Sequence, residues 1–239
     1  ALYHNYDKQP ERYTEVIDEF AEIFKVSDKV SVFSAPGRTE IIGNHTDHQH
    51  GKAIAAGVDL DVVAITSLNG TDKINIKSKG YPMDTIDLND LNPKKSEINK
   101  SAGIIRGIAS AFKSKGYEIK GFDAYTSSTV LKGSGLSSSA AFEVLIATII
   151  NELFCEGKED AVSIAKIGQY AENVYFGKPC GLLDQTASSC GGFVYIDFKN
   201  TEQPEVKKIN FDFATTGYSL CIVDTGGNHA NLTQDYADI

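Results

Sequence analysis

Lys132-Gly133-Ser134-Gly135-Leu136-Ser137-Ser138-Ser139-Ala140 is the stretch on which the reading of this sequence turns. Its glycines let a backbone approach a ligand closely. Its serines open a helical pattern that runs from Ser137 to Phe154, where free N–H groups and the helix dipole favour an anion. The chain contains no GxxxxGK(S/T), so this is not a Walker loop. On its own the stretch reads either as a phosphate cradle or as a flexible turn whose serines cap the helix.

Working outward, strands and helices alternate. Apolar residues Tyr13, Val16, Ile17, Phe20, Ile23 and Phe24 fall at helical spacing over residues 10–25. Val30 to Ala35 reads as a strand stopped by Pro36-Gly37. Residues 53–67 read as a long, partly buried strand, with Asp59 and Asp61 alternating with apolar neighbours. Ile74 and Ile76 between lysines suggest a partly exposed strand. Asn99 to Lys115 is a helix with Gly116 as its stop. Gly121 to Ser128 is a strand, and Asp160 to Tyr175 a helix. Gly177 to Cys190 begins as a loop, and its later part takes no assignment from the pattern. Gly192 to Phe198 and Ser219 to Asp224 read as strands, with a surface turn or domain junction at Thr201 to Pro204.

Two further segments gather polar chemistry. Pro36 to Gly51 is a glycine-punctuated loop between apolar strands, the usual place for a site. In it Arg38 can pair with a phosphate or carboxylate, and Asp47 can accept hydrogen bonds from hydroxyls. His45, Asp47, His48 and His50 also allow a metal reading, but the ligand set is incomplete; a solvated loop is the plain alternative. The other segment holds Glu172 on a helix, then Cys180-Gly181-Leu182-Leu183-Asp184-Gln185. An acid on a helix face is usually just solvated. Asp184 sits among small and apolar residues, and a buried carboxylate needs a partner or a task, structural capping included.

The 239 residues are 41% hydrophobic and 23% charged, with a net charge of −9. That suits a globular protein and offers no bulk basic surface for nucleic acid. The four cysteines show no CxxC spacing and read as free thiols in a reducing compartment, hence cytoplasmic. The longest apolar stretch, near 140–150, is broken by Glu143 and is too short for a membrane span. The chain stops at Tyr236-Ala237-Asp238-Ile239, soon after a helix start, and reads as a fragment.

Taken together, the three segments resemble the galactokinase family, within the galactokinase, homoserine kinase, mevalonate kinase and phosphomevalonate kinase superfamily. Gly37-Arg38 … Ile42-Gly43-Asn44-His45-Thr46-Asp47 is similar to the signature GRxNxIGEHxD, Gly133 to Ala141 to the loop GxGLSSSAA, and Cys180 to Gln185 to CGxxDQ, in the same order. The resemblance implies an α/β (α+β) fold. Residues 1–200 would form a ribosomal-protein-S5-like N-terminal domain and 201–239 the start of a ferredoxin-like C-terminal domain. It implies ATP-dependent phosphorylation of the anomeric hydroxyl of galactose, with ATP and Mg2+. Gly133, Ser134, Gly135, Leu136, Ser137, Ser138 and Ser139 would hold ATP, and Ser138 and Glu172 the magnesium. Asp184 would be the base or orient the hydroxyl, with Arg38 beside it. Asn44, His45, Asp47, Gly181 and Tyr236 would hold the sugar.

Two departures stand out. Asn44 replaces the signature glutamate, keeping an acceptor but losing a charged hydrogen bond of about 1.5–3 kcal/mol. With His48-Gln49, this also resembles a galacturonate kinase pattern. Leu131 stands where the ATP loop usually has proline. A kinase for galacturonate or another galactose-like sugar, and a non-catalytic sugar sensor on the same fold, are the alternative readings; the intact Ser137 to Ala141 run speaks against the sensor.

Overall fold

The computed structural model describes residues 3, 5–26, 29–218 and 220–223. Seven strands form one sheet: β1 (Ser31–Ile42), β2 (Lys52–Leu68), β3 (Lys73–Ser78), β4 (Met83–Asp87), β5 (Phe122–Ser128), β6 (Phe193–Asp197) and β7 (Glu205–Ile209). The order is β4-β3-β5-β2-β6-β7, with β1 paired along β2. Only β3 and β5 run parallel; every other pair is antiparallel. Five α-helices accompany it: α1 (Gln9–Phe24), α2 (Ser101–Ser114), α3 (Ser138–Phe154), α4 (Ala161–Tyr170) and α5 (Leu183–Cys190).

The long β2 explains the sheet. Along it Val62 and Ala64 join the core under α2 and α3, while Val63 and Ile65 join the core under α1. Period-2 alternation between two covered faces leaves the continuous apolar run Val62–Ile65. Helix α3 is central, with Leu145, Ile146, Ile149 and Ile150 all fully buried. Truncating such a side chain to alanine costs about 2–5 kcal/mol. A smaller core joins α4 and α5 to β2 and β6 through Ala53, Ala55, Ala165, Leu183, Ala187 and Val194.

Several sequence expectations need correction. The first strand does not stop at Pro36-Gly37: β1 continues to Ile42, past an irregularity between Pro36 and Arg38. Proline is tolerated there because β1 pairs on one side only, with β2, so the missing N–H breaks no second ladder. Arg38 therefore stands on a strand. The helix expected over 160–175 changes pitch: α4 ends at Tyr170 and a π-helical turn, Ala171–Phe176, carries Glu172. The unassigned later part of Gly177 to Cys190 is helical: Asp184 lies in the first turn of α5. Strand β3 is partly exposed as expected, with Ile74 and Ile76 buried and Lys73 exposed. Strands β4 and β7, too short and polar to read from pattern, were not expected; β7 extends the same sheet from β6. Residues 220–223 form no strand, and Ser219 and Asp224 lie outside the described residues. No helix among the described residues is long and apolar enough to cross a membrane.

Candidate active site

Strand β1 and the loop before α3 touch at Gly37. The Arg38 N–H donates to Leu136 O at 3.1 Å. A methyl on Gly37 would lie 2.9 Å from that same oxygen, so only glycine permits the approach. This contact brings Arg38 beneath the serine loop. Arg38 is 6% exposed, and each nitrogen of its guanidinium has a partner. Nε donates to Asp184 Oδ1 at 2.7 Å, with Nη2 also 2.7 Å from that oxygen. Nη1 donates to Gly135 O at 2.7 Å, and Nη2 lies 3.2 Å from His45 Nε2.

Asp184 closes the group from α5. Its other oxygen, Oδ2, accepts from the Ser137 hydroxyl at 2.5 Å. Burial alone would push the Asp184 carboxyl up, but Arg38, with Ser137 and His45, holds it below the usual carboxylate range. About a quarter of the side chain, 28%, still meets solvent, so a substrate can reach it. Ser137 adopts a left-handed backbone, φ 55°, and its hydroxyl does not cap α3. The first N–H groups of that 17-residue helix therefore keep no Ser137 cap, and the capping alternative for this serine fails. The loop glycines 133 and 135 both have positive φ, 78° and 75°. Leu136 is buried, Ser134 donates to Leu131 O at 2.7 Å, and Ser138 is the first residue of α3, followed by the exposed Ser139.

Asp47 lies on a short 3-10 turn, Thr46–Gln49, and is 5% exposed. Its Oδ2 accepts from the Leu183 N–H at 3.2 Å, next to Asp184. A methyl on Gly181 would overlap that carboxylate, so glycine is required there. Thus Arg38, His45, Asp47, Gly181, Asp184, Gly135 and Ser137 converge. Asn44 lies on the turn beside them, exposed, with no side-chain hydrogen bond among the described residues. Tyr236 lies outside the described residues.

Behind Asp184 is a second, buried polar cluster. Gln185 Nε2 donates to Glu143 Oε2 at 2.9 Å and to Glu172 Oε2 at 3.1 Å. Lys178 Nζ is 3.6 Å from Glu172 Oε1. Glu172, expected on an ordinary helix face, is 3% exposed, and Glu143 is wholly buried. Burial and the neighbouring Glu172 push the Glu143 carboxyl well above the usual range, and burial likewise raises the Cys180 thiol. Among the described residues, Glu143 Oε1 and Gln185 Oε1 have no hydrogen-bond partner. Sequence reasoning passed over Glu143 and Gln185. The signal was present in a lone acid inside an apolar helix and a glutamine beside the candidate catalytic aspartate. Glu40 was passed over as well.

Comparison with known proteins fits this convergence. Residues 103–192 match the family model for the GHMP kinases N terminal domain, and residues 18–68 match the galactokinase galactose-binding signature. In both regions the chain is similar to the galactokinases among the GHMP kinases. The two matched regions contain, between them, both partners of the Arg38–Asp184 pair. Among similar galactokinases, that of Streptomyces coelicolor is 32% identical over 219 residues, covering 92% of this chain and 56% of its own. That of Clostridium tetani is 35% identical over 180 residues, covering 74% and 45%. The crystal structure of Lactococcus lactis galactokinase complexed with galactose superposes with a TM-score of 0.75 at 28% identity, over 83% of this chain and 52% of that one. Methanococcus jannaschii mevalonate kinase shares the GHMP kinase fold at a TM-score of 0.64 and 18% identity. The chain spans about half the length of the curated galactokinases it matches.

Proposed function

We propose that this chain supplies the sugar and phosphate site of an ATP-dependent galactokinase, which phosphorylates the anomeric hydroxyl of galactose. The observation that carries this reading is the Arg38–Asp184 pair at 2.7 Å, held beneath the glycine-serine loop by Gly135 O and Ser137. A hydroxyl acceptor, a cation for developing negative charge and an anion-binding helix start then share one point.

Phosphoryl transfer needs positioning and charge stabilisation more than covalent help from the protein. The sugar hydroxyl would take the place of Ser137 on Asp184 Oδ2. A carboxylate held below the usual range is a weak base, so Asp184 orients that hydroxyl and receives its proton late. Arg38 offsets the charge that builds on the attacking oxygen. Asp47, fixed by the Leu183 N–H, and His45 hold other hydroxyls, with Asn44, the Gly181 backbone and Tyr236 completing the sugar contacts. The residues of the loop, Gly133 to Ser139, bind the phosphates.

Magnesium fits the donors present. The Ser138 hydroxyl at the start of α3 and the buried Glu172 carboxylate are hard oxygen ligands. Behind Glu172, the buried Glu143 Oε1 has no hydrogen-bond partner among the described residues, an orphaned oxygen of the kind a cation and its water shell would satisfy. Mg2+ characteristically takes one or two carboxylates and completes its shell with phosphate and water. When bound, it would neutralise charge on the transferring phosphoryl group.

At a finer level, we read residues 1–200 as a ribosomal-protein-S5-like domain and 201–239 as the beginning of a ferredoxin-like one. Strand β7 would tie that beginning to β6. Cys155, Cys180 and Cys190 are free thiols, which suits a cytoplasmic setting.

The test is ATP consumption by the full-length protein against galactose, galacturonate, N-acetylgalactosamine and arabinose. Turnover with galactose sustains the proposal. Turnover with galacturonate alone makes Asn44 the mark of a changed specificity, and silence on all four removes the galactokinase reading.

A further inference from the structure

One carboxylate on β1 faces the sugar-binding turn and has no part in the mechanism above. Glu40 is largely buried, its side chain 14% exposed. Both its oxygens accept from the backbone N–H of His45, at 3.0 and 3.2 Å. Oε2 also lies 3.9 Å from His45 Nε2. That same ring nitrogen is 3.2 Å from Arg38 Nη2 and 3.8 Å from Asp184 Oδ1. The turn between is strained. Asn44 and His45 are both left-handed, with φ of 52° and 51°. Such a backbone costs about 1–2 kcal/mol for a non-glycine residue, least for asparagine. A methyl on Gly43 would sit 2.7 Å from Glu40 Oε1, so glycine also makes room for the carboxylate.

The sequence carries a matching exchange. In the pattern GRxNxIGEHxD, the place of Glu40 holds asparagine and the place of Asn44 holds glutamate; here acid and amide have changed places. Asparagine at 44 suits the left-handed backbone, and the acid at 40 grips the turn through the next amide.

We propose that Glu40 is a positioning residue of the sugar site: its carboxylate anchors the Gly43–His45 turn and so sets the His45 ring against Arg38 and Asp184. The kinetic consequence rests on the sugar-kinase reading; the geometric one does not. Loss of Glu40 frees the turn, lets the ring leave the guanidinium, and weakens alignment of the sugar without touching the serine loop.

Two measurements on the full-length protein test this. The first needs no turnover: the nitrogen–proton correlation signals of the His45 amide and the Arg38 Nε–H are followed in Glu40→Ala. Both signals are expected to move, and the His45 amide to exchange about tenfold faster or more, as loss of a charge-assisted bond requires. Movement of the His45 amide with an unchanged Arg38 Nε–H overturns the proposal. The second is a double-mutant cycle with His45→Ala. Glu40→Ala should lower kcat/KM for the accepted sugar by about tenfold in the wild-type background and by less than about twofold when His45 is already absent. Equal effects in both backgrounds overturn it. If the alanine variant does not fold, Glu40→Gln, which keeps one acceptor for the His45 N–H, serves in both measurements with smaller expected changes. An inactive wild type would sink the kinase reading while the spectroscopic test still decides the role of Glu40.

Discussion

Arg38 and Asp184 are 146 residues apart in sequence, and their side chains meet at 2.7 Å with both Arg38 Nε and Nη2 on one carboxylate oxygen. Arg38 enters on a sheet strand and Asp184 on the first turn of a short helix, so each is fixed by its own core. Asp184 Oδ2 accepts instead from the Ser137 hydroxyl, the place proposed for the sugar hydroxyl.

Asp184→Asn keeps the shape of this site and removes its charge. We expect the full-length variant to fold, with kcat lowered by about a hundredfold or more, as for loss of a preorganised transition-state group. Arg38→Ala should lower kcat more than it raises KM. Steady-state kinetics with thermal melts check both. Near-normal turnover in the asparagine variant would remove Asp184 from the chemistry.

The depressed Asp184 carboxyl has a pH signature. A group with a lowered folded value contributes stability above its unfolded value, about 3.9, and loses it as pH falls through the folded value. No acid limb in kcat/KM should therefore arise from Asp184 between about pH 5 and 7. In Arg38→Ala burial is no longer opposed by the guanidinium, so an acid limb should climb toward neutrality. A pH–rate profile of both proteins decides it, and an unchanged limb would mean that Arg38 does not control this group.

Gly181→Ala should push the Asp47 carboxylate off the Leu183 N–H. Galactose binding, measured by calorimetry without nucleotide, should weaken by about tenfold, the worth of a lost charged hydrogen bond. ATP binding should stay as it is. Equal loss of both ligands would point to general unfolding of the segment.

Glu143 lies wholly buried against Glu172 with its carboxyl raised well above the usual range. A raised group contributes stability below its unfolded value and loses it as pH rises through its folded value. Wild-type melting temperature should thus fall between mildly acidic and alkaline pH, and Glu143→Gln should flatten that slope. The amide should be the more stable of the two at high pH, by a few degrees for about 1 kcal/mol. A Glu143→Gln protein with the wild-type slope would place the titration elsewhere.

Much of this was legible in the sequence because period and punctuation agreed. Helix α3 was bounded within one residue at its start, and the long strand β2 was found from its β-branched run. The three motifs located Arg38, Ser137 and Asp184, and spacing alone could not say that they meet. What escaped was set by tertiary context. Pro36 was read as a stop because proline breaks central strands, yet β1 pairs on one side only. Helix α5 was hidden by the glycine and proline before it and by its eight-residue length. Glu172 stands out only through the resemblance, as a magnesium ligand, and its burial is not legible, because the π-helical turn that carries it leaves no periodic trace. Glu40 went unremarked because its task, holding a backbone amide five residues on, exists only once the turn has formed.

The long separation of Arg38 and Asp184 has a consequence for how the protein is made. At about 5–20 residues per second of synthesis, Arg38 is added to the chain roughly 7–30 s before Asp184. Strand β1 and its β2 partner can pair in that interval, so the guanidinium must wait in water, or on the Gly135 carbonyl once that arrives, until α5 docks. The proposed reactive centre is thereby a late-closing joint of this domain, absent from a nascent chain in which β1 and β2 have already paired.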